Sequence, residues 1–189
     1  RQRRRRIAAV LVVLIIAAIM AVGSGRLGTA IAMLGDMTDS ISLYLNRAGA
    51  GWPANTGIRT PTQVEPLAGG FVEMDNEDVA GYSAYGAKIR TIQPGYARPA
   101  LAVGNTRFVL YNRAGKELTV QSRTRQRYAK SFNNAIMLCE MAQNGTLAVV
   151  TESDRYAAEV MVYDASFSGD PFTWKLTSTD GTHCIVFCH

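Results

Sequence analysis

The side chains best suited to chemistry lie in the last seven residues of the sequence. His183, Cys184, Cys188 and His189 supply imidazoles and thiols, the ligand types that zinc prefers. Their spacing matches no established zinc pattern, so we interpret them as a chance cluster and assign no metal ligands. Cys139 brings the count to three, and an odd count does not indicate a disulfide framework. Whether Cys184 and Cys188 pair is left open.

Other catalytic and cofactor signals are weak. A Ser or Cys nucleophile needs a base nearby, usually His, and His occurs only at positions 183 and 189. Neither a GxxxxGK[ST] loop nor a GxGxxG loop opening a helix is present. Asp75, Glu77 and Asp78 form an acidic turn that suits either a calcium ion or a plain hairpin loop. We therefore assign no catalytic or cofactor-binding residues and no cofactor, and we favour a protein that is not an enzyme.

Arg123, Arg125 and Arg127 occupy alternate positions between Thr119 and Lys130. In a strand, alternate residues share one face. One hypothesis is a site for an anion or a lipid headgroup. We favour the other, an outer strand whose solvated charges prevent edge pairing.

The net charge of +5 comes from one short stretch, which contains Arg1, Arg3, Arg4, Arg5 and Arg6. Outside it, 15 basic side chains balance 15 acidic ones. A nucleic-acid-binding protein spreads basic residues over a folded face, so we expect no nucleic-acid partner. These arginines precede an apolar run, and they indicate membrane orientation with a cytoplasmic N-terminus.

The apolar run is IAAVLVVLIIAAIMAV, from Ile7 to Val22, and residues 7–25 carry no charge. As a helix these 19 residues would span about 28 Å, close to the bilayer core. We predict a single-pass signal-anchor in the cell membrane, with tip 1–6 in the cytoplasm, a transmembrane helix over 7–25 and an extracytoplasmic C-terminal domain. A signal peptide cleaved near Ala21-Val22-Gly23 is the alternative. Either way the rest of the chain is exported.

Residues 26–60 are predicted to hold a juxtamembrane helix and a linker. An apolar stripe at helical spacing runs from Leu27 to Leu45 and includes Met37 and Ile41, whereas the polar Asp36, Asp39 and Ser40 lie off it. The helix has few Lys and Arg residues for a lipid-surface helix, so we favour packing against the following domain. Turn-forming residues dominate Asn46 to Pro61, and we place the domain boundary near residue 60.

Residues 61–189 read as short strands separated by turns. A Gly precedes an apolar strand at Gly70, Gly104 and Gly145, and the turns after Tyr82 and Tyr111 align as Y-x-x-x-G-x-x-[IL]. A repeat of about 40 residues is typical of propeller blades. The fold class is therefore predicted as all-β, a partial β-propeller of about three four-stranded blades. An ordinary β-sandwich is the alternative.

Several segments together resemble the family of domain of unknown function 5711. They are RRRRIAAVLVVLIIAAI, Gly-Trp-Pro at 51–53, YARPALAVGNTRFVLYNRAGKEL at 96–118 and LAVVTESDRYAAEVMVYD at 147–164. The resemblance implies a bacterial single-pass membrane protein with an exported propeller similar to PQQ-like and WD40-like folds. It implies no activity. The sequence departs from the family in its His- and Cys-bearing end.

The functional prediction follows from repetition without catalytic residues. We expect a binding or scaffold module of the cell envelope, whose partners are the lipid bilayer and an envelope protein or polymer. The alternative is an enzyme, either a quinoprotein-like oxidoreductase or a hydrolase, whose active residues lie outside this sequence.

Overall fold

The computed structural model of the chain describes residue 12, residues 35–41 and residues 51–177. Residues 35–41 are helical, and they are called helix 35–41 below. Residues 51–177 contain twelve strands: β1 (Gln63–Leu67), β2 (Gly70–Met74), β3 (Val79–Ser83), β4 (Lys88–Ile92), β5 (Pro99–Val103), β6 (Arg107–Asn112), β7 (Glu117–Ser122), β8 (Gln126–Ser131), β9 (Ile136–Met141), β10 (Leu147–Thr151), β11 (Ala158–Tyr163) and β12 (Phe172–Leu176).

The strands form three antiparallel sheets of four strands each. In every sheet the strands follow one another in chain order, so β1–β4 make sheet 1, β5–β8 sheet 2 and β9–β12 sheet 3. The sequence-based prediction of an all-β domain with three four-stranded units is confirmed. Short turns suffice because antiparallel neighbours need no crossover.

Sheet 2 lies between the other two sheets and contributes to two separate cores. One of its faces, with Leu101, Phe108 and Leu110, packs against sheet 1. Its opposite face, with Val109 and Leu118, packs against sheet 3. Successive residues of β6 point to opposite faces of sheet 2, and both faces are covered by another sheet. Five consecutive residues of β6 are therefore buried.

The first strand of each sheet adjoins the first strand of the neighbouring sheet, and β6 also contacts β9. β1 contacts β5, and β5 in turn contacts β9. The last strand of sheets 1 and 2 connects to the first strand of the next sheet. In a propeller, four-stranded antiparallel sheets follow one another along the chain, and their inner strands lie side by side. The three sheets have this arrangement, so the fold is propeller-like.

The repeated glycines mark equivalent turns in the three sheets. Gly70 begins β2, while Gly104 and Gly145 lie in the turns that precede β6 and β10. A Cβ atom on Gly70 would lie 1.8 Å from the backbone oxygen of Tyr82. Gly145 adopts a positive φ of 85°, which glycine tolerates best. The spacing of these glycines therefore reports the first turn of each blade.

Two finer predictions were wrong. Tyr82 lies near the end of β3, the third strand of its sheet, whereas Tyr111 lies in β6, a second strand, so their turns are at opposite ends of the sheets. The segment from Thr119 to Lys130 is not one strand, because residues 123–125 form the turn between β7 and β8. A short polar run does not distinguish a strand from a tight hairpin.

The N-terminal predictions fall mainly outside the described residues. Of tip 1–6 and the predicted transmembrane helix 7–25, the structure describes only Val12, which is helical. Within the part of the chain that the structure describes, every helix is too short or too polar to cross a membrane. The boundaries predicted for the four segments of the chain stay predictions.

Candidate functional site

The turns of the three sheets fall at two ends of the domain. The turns that follow β1, β3, β5, β7, β9 and β11 share one end, because consecutive antiparallel strands reverse direction. Helix 35–41 lies against this end, which we call the helix end. The remaining turns form the far end, where the acidic turn of Asp75, Glu77 and Asp78 lies between β2 and β3.

Asp36 anchors helix 35–41 to the middle sheet. Its Oδ2 atom lies 3.0 Å from Nη2 of Arg107, and its Oδ1 atom accepts a hydrogen bond of 3.1 Å from Nε of the same guanidinium. Thr106 donates a further hydrogen bond of 3.0 Å to Oδ2. The bidentate pairing of two planar groups fixes the orientation of Asp36 as well as its position.

Two more arginines hold the same face of the helix. Nη2 of Arg127, on β8, lies 3.2 Å from Oδ1 of Asp36 and 3.6 Å from Oδ2 of Asp39. Nη2 of Arg123 donates to the hydroxyl of Ser40 and to the backbone oxygen of Asp36. The helix is thus held by polar groups that lie three and four residues apart, which share one face of a helix.

The arginines also tie the three sheets together. Nη1 of Arg107 donates to the backbone oxygen of Ala165, in the turn between β11 and β12 of sheet 3. Nη1 of Arg123 donates to the backbone oxygen of Ala68, between β1 and β2 of sheet 1, at 2.6 Å. Both arginines belong to sheet 2 or its turns. We call Arg107, Arg123 and Arg127 the arginine clamp.

Burial sets the electrostatics of the clamp. Arg107 is 3% exposed and Arg123 is 8% exposed, so neither guanidinium is well hydrated. Burial lowers the pKa of Arg123, and the carboxylates of Asp39 and Asp36 oppose that change. A buried guanidinium needs such partners, because an unpaired buried charge is costly. The clamp therefore holds the helix, and the carboxylates of the helix stabilise the buried charges of the clamp.

The sequence predictions for this region were partly wrong. Arg123 and Arg127 pair with a helix of the same chain, so the prediction of solvated strand charges fails for both, although Arg125 is exposed. Arg107 was not singled out from the sequence. Its position before four apolar residues of the same strand was the available signal.

The contact surface of helix 35–41 is its polar face, which the apolar stripe did not predict. Asp36, Asp39 and Ser40 face the domain, while Met37 is 62% exposed and Ile41 is 51% exposed. The apolar side of the described helix therefore points away from the sheets.

A second feature is a cleft where the inner strands of the three sheets meet. It has a volume of about 250 Å³, and β1, β5 and β9 contribute to its walls. Its charged and amide side chains are Gln63, Glu65, Arg113 and Glu140. Nε2 of Gln63 donates to Oε1 of Glu65 at 3.2 Å and to the backbone oxygen of Leu101 at 3.1 Å. The cleft offers a partner two half-buried carboxylates with an exposed arginine at the margin.

The remaining candidate groups have structural surroundings. Cys139 is buried in the core between sheets 2 and 3, and burial is the main cause that raises its pKa, so the thiol stays protonated. Oδ1 of Asp75 accepts from the backbone N–H groups of Glu77 and Asp78, as in a hairpin turn. Across the described ranges, no three His, Cys, Asp or Glu side chains are placed to hold a metal ion. The cluster at 183–189 lies outside those ranges.

Comparison with known proteins identifies the family. Residues 53–181 match the model of the family of unknown function DUF5711, which is more than half of the chain. The chain belongs to this family. No curated protein matches the sequence. Solved structures that match include the crystal structure of BamB from Moraxella catarrhalis, with a TM-score of 0.48 and 17% sequence identity. That match covers 64% of this chain and 36% of the BamB chain, so this chain corresponds to about a third of that protein.

Proposed function

We propose that the chain is a membrane-anchored, exported binding module of the cell envelope, and that its partner binds the cleft between β1, β5 and β9. The observation that carries this proposal is the convergence of three sheets on one polar cavity. Each sheet contributes its innermost strand, so the shape of the cavity depends on the whole arrangement and not on one loop.

The size and chemistry of the cleft favour a macromolecular partner. Its volume of about 250 Å³ is below the range of roughly 300–1,000 Å³ that is usual for drug-sized ligands. It accommodates a few side chains of an envelope protein or a short part of a polymer. Glu65 and Glu140 favour a partner that brings N–H donors or positive charge, because carboxylates only accept hydrogen bonds when ionised.

The membrane anchor is supported by the sequence. The five arginines Arg1, Arg3, Arg4, Arg5 and Arg6 precede 19 uncharged residues, and such a basic flank stays in the cytoplasm. The proposal therefore places tip 1–6 inside and the sheets outside. A tag fused after His189 tests this orientation. Protease added to spheroplasts should digest the tag before lysis, and a tag that is digested only after lysis would contradict export.

Paired variants test the cleft. The proposal predicts that Glu65→Gln combined with Glu140→Gln weakens capture of the partner from detergent-solubilised membranes. The matched control is Glu77→Gln, which removes an exposed carboxylate from the far end. Recovery of the same protein or polymer with wild type and control, but not with the cleft variant, supports the proposal. Recovery that is equal for all three chains would contradict it.

A further inference from the structure

We propose that the helix end of the domain lies against the outer surface of the bilayer and contacts lipid through Met37, Ile41, Trp52 and Tyr85. This inference rests on the proposed membrane anchor and adds the orientation of the domain on the membrane. Four observations carry it.

The first observation is the exposed side of helix 35–41. Its polar face is occupied by the arginine clamp, so the helix cannot turn its apolar side inward without breaking the ion pairs of Asp36. Met37 and Ile41 are four residues apart and therefore share one face, which points away from the sheets. A helix with one polar and one apolar face is the form that binds at a membrane interface.

The second observation is the length of chain that precedes the helix. Nine residues, 26–34, separate the predicted anchor 7–25 from Gly35. Ten peptide steps span at most about 35 Å when fully extended, and about 15 Å as a helix. The anchor thus keeps helix 35–41, and with it the helix end, within about 35 Å of the membrane surface.

The third observation is a pair of exposed aromatic residues at the same end. Trp52 is 44% exposed and Tyr85 is 43% exposed. Nε1 of Trp52 donates to the backbone oxygen of Ala84 at 3.0 Å, and the backbone N–H of Ala84 donates to Gly69 in the turn that Arg123 holds. A path of hydrogen bonds therefore joins the clamp to Trp52. Trp and Tyr are the residues enriched at the membrane–water interface.

The fourth observation is the difference between the two ends. Among the described residues, the other large exposed apolar side chains of the domain, Val64, Met137, Phe172 and Trp174, lie within strands and not in far-end turns. Both ends carry mixed charges: exposed Lys88, Arg125, Asp164 and Asp170 lie at the helix end, and exposed Arg113, Lys116 and Arg155 lie at the far end with the acidic turn.

The two tryptophans of the chain provide the test. The full chain is reconstituted in vesicles of phosphatidylcholine and phosphatidylglycerol, with and without phosphatidylcholine that carries a spin label just below the headgroup. Trp174→Phe leaves Trp52 as the only tryptophan, and Trp52→Phe leaves Trp174 on β12. The labelled lipid should cause a loss of Trp52 emission and leave Trp174 emission unchanged.

Several results would overturn the inference: quenching of Trp174 alone, equal quenching of both, or no quenching of Trp52. If Trp52→Phe does not fold, Trp174→Phe in labelled and unlabelled vesicles still gives the deciding value for Trp52. Resistance to alkaline carbonate extraction is measured on the same samples. A chain that resists extraction but shows no Trp52 quenching refutes only the orientation, whereas a chain that is extracted refutes the anchor, and the orientation with it.

Discussion

Arg107 holds both carboxylate oxygens of Asp36, which lies 71 positions earlier in the chain. The pair joins a helix that precedes the domain to the first residue of β6 in the middle sheet. Because Arg107 also donates to the backbone oxygen of Ala165, one side chain connects helix 35–41, sheet 2 and sheet 3. Through this contact, helix 35–41 is part of the folded domain.

The middle sheet should be sensitive to truncation on both of its faces. Leu110 packs toward sheet 1 and Leu118 toward sheet 3, and both are fully buried. We expect Leu110→Ala and Leu118→Ala each to lower the free energy of unfolding by about 2–5 kcal/mol, because each leaves a cavity. Urea unfolding in detergent micelles measures both.

The matched control for these variants is Met137→Ala, on β9. Met137 is 47% exposed, so its truncation should cost less than about 0.5 kcal/mol. If only one of the two leucine variants were destabilised, sheet 2 would have one packed face and the three-sheet arrangement would be wrong.

Cys139 should be unreactive in the folded protein. Burial raises its pKa, and the nucleophilic form of cysteine is the thiolate. With Cys184 and Cys188 replaced by serine, we expect no reaction with a disulfide reagent at pH 8 and complete reaction in urea. The control is Met137→Cys with Cys139, Cys184 and Cys188 all replaced by serine, which places a thiol at an exposed position of the same strand and should react at once. Rapid labelling of Cys139 without urea would contradict its position between sheets 2 and 3.

Tyr82 should give the domain a dependence on alkaline pH. Its hydroxyl donates to the backbone oxygen of Thr56, and its pKa is raised mainly by burial, with Lys88 acting in the opposite direction. A raised folded pKa stabilises the fold below the unfolded pKa of about 10, and this contribution is lost as pH rises through the folded pKa.

The comparison is between wild type and Tyr82→Phe. At pH 8 the variant should be less stable by about 1 kcal/mol, the typical value of one hydrogen bond. The difference in stability between wild type and Tyr82→Phe should become smaller as the pH rises above about 10, because the wild-type hydroxyl ionises. A difference that stays constant over the whole range would show that Tyr82 titrates as it does in the unfolded chain.

The sequence predicted the repeating architecture better than the individual strands. The runs Lys88 to Ile92 and Glu117 to Ser122 read as strands in the sequence and coincide with β4 and β7, and the three glycines mark the same turn in each sheet. β12 has four exposed residues out of five, so it lacks the alternation that identifies a half-buried strand.

The clamp could not be predicted from local patterns. Arg107 and Asp36 meet only because the turns of sheet 2 and the helix share one end of the domain, and no periodicity contains that information. The apolar stripe of the helix suggested an inward-facing apolar side, since a helix beside a domain usually buries that side. Two buried arginines reversed this preference. Leaving their charges without carboxylate partners would cost more free energy than burying two additional apolar side chains would gain.

A double-mutant cycle on Asp36→Asn and Arg107→Met tests whether helix 35–41 is held to the domain by its polar face. Unfolding by urea is measured for wild type, both single variants and the double variant, with Arg125→Met as an exposed-arginine control that should change stability by less than about 0.5 kcal/mol. Attachment through the polar face predicts a coupling energy of about 1–3 kcal/mol between the two substitutions. Costs that add to within about 0.5 kcal/mol would show that Asp36 and Arg107 do not interact, and would contradict it.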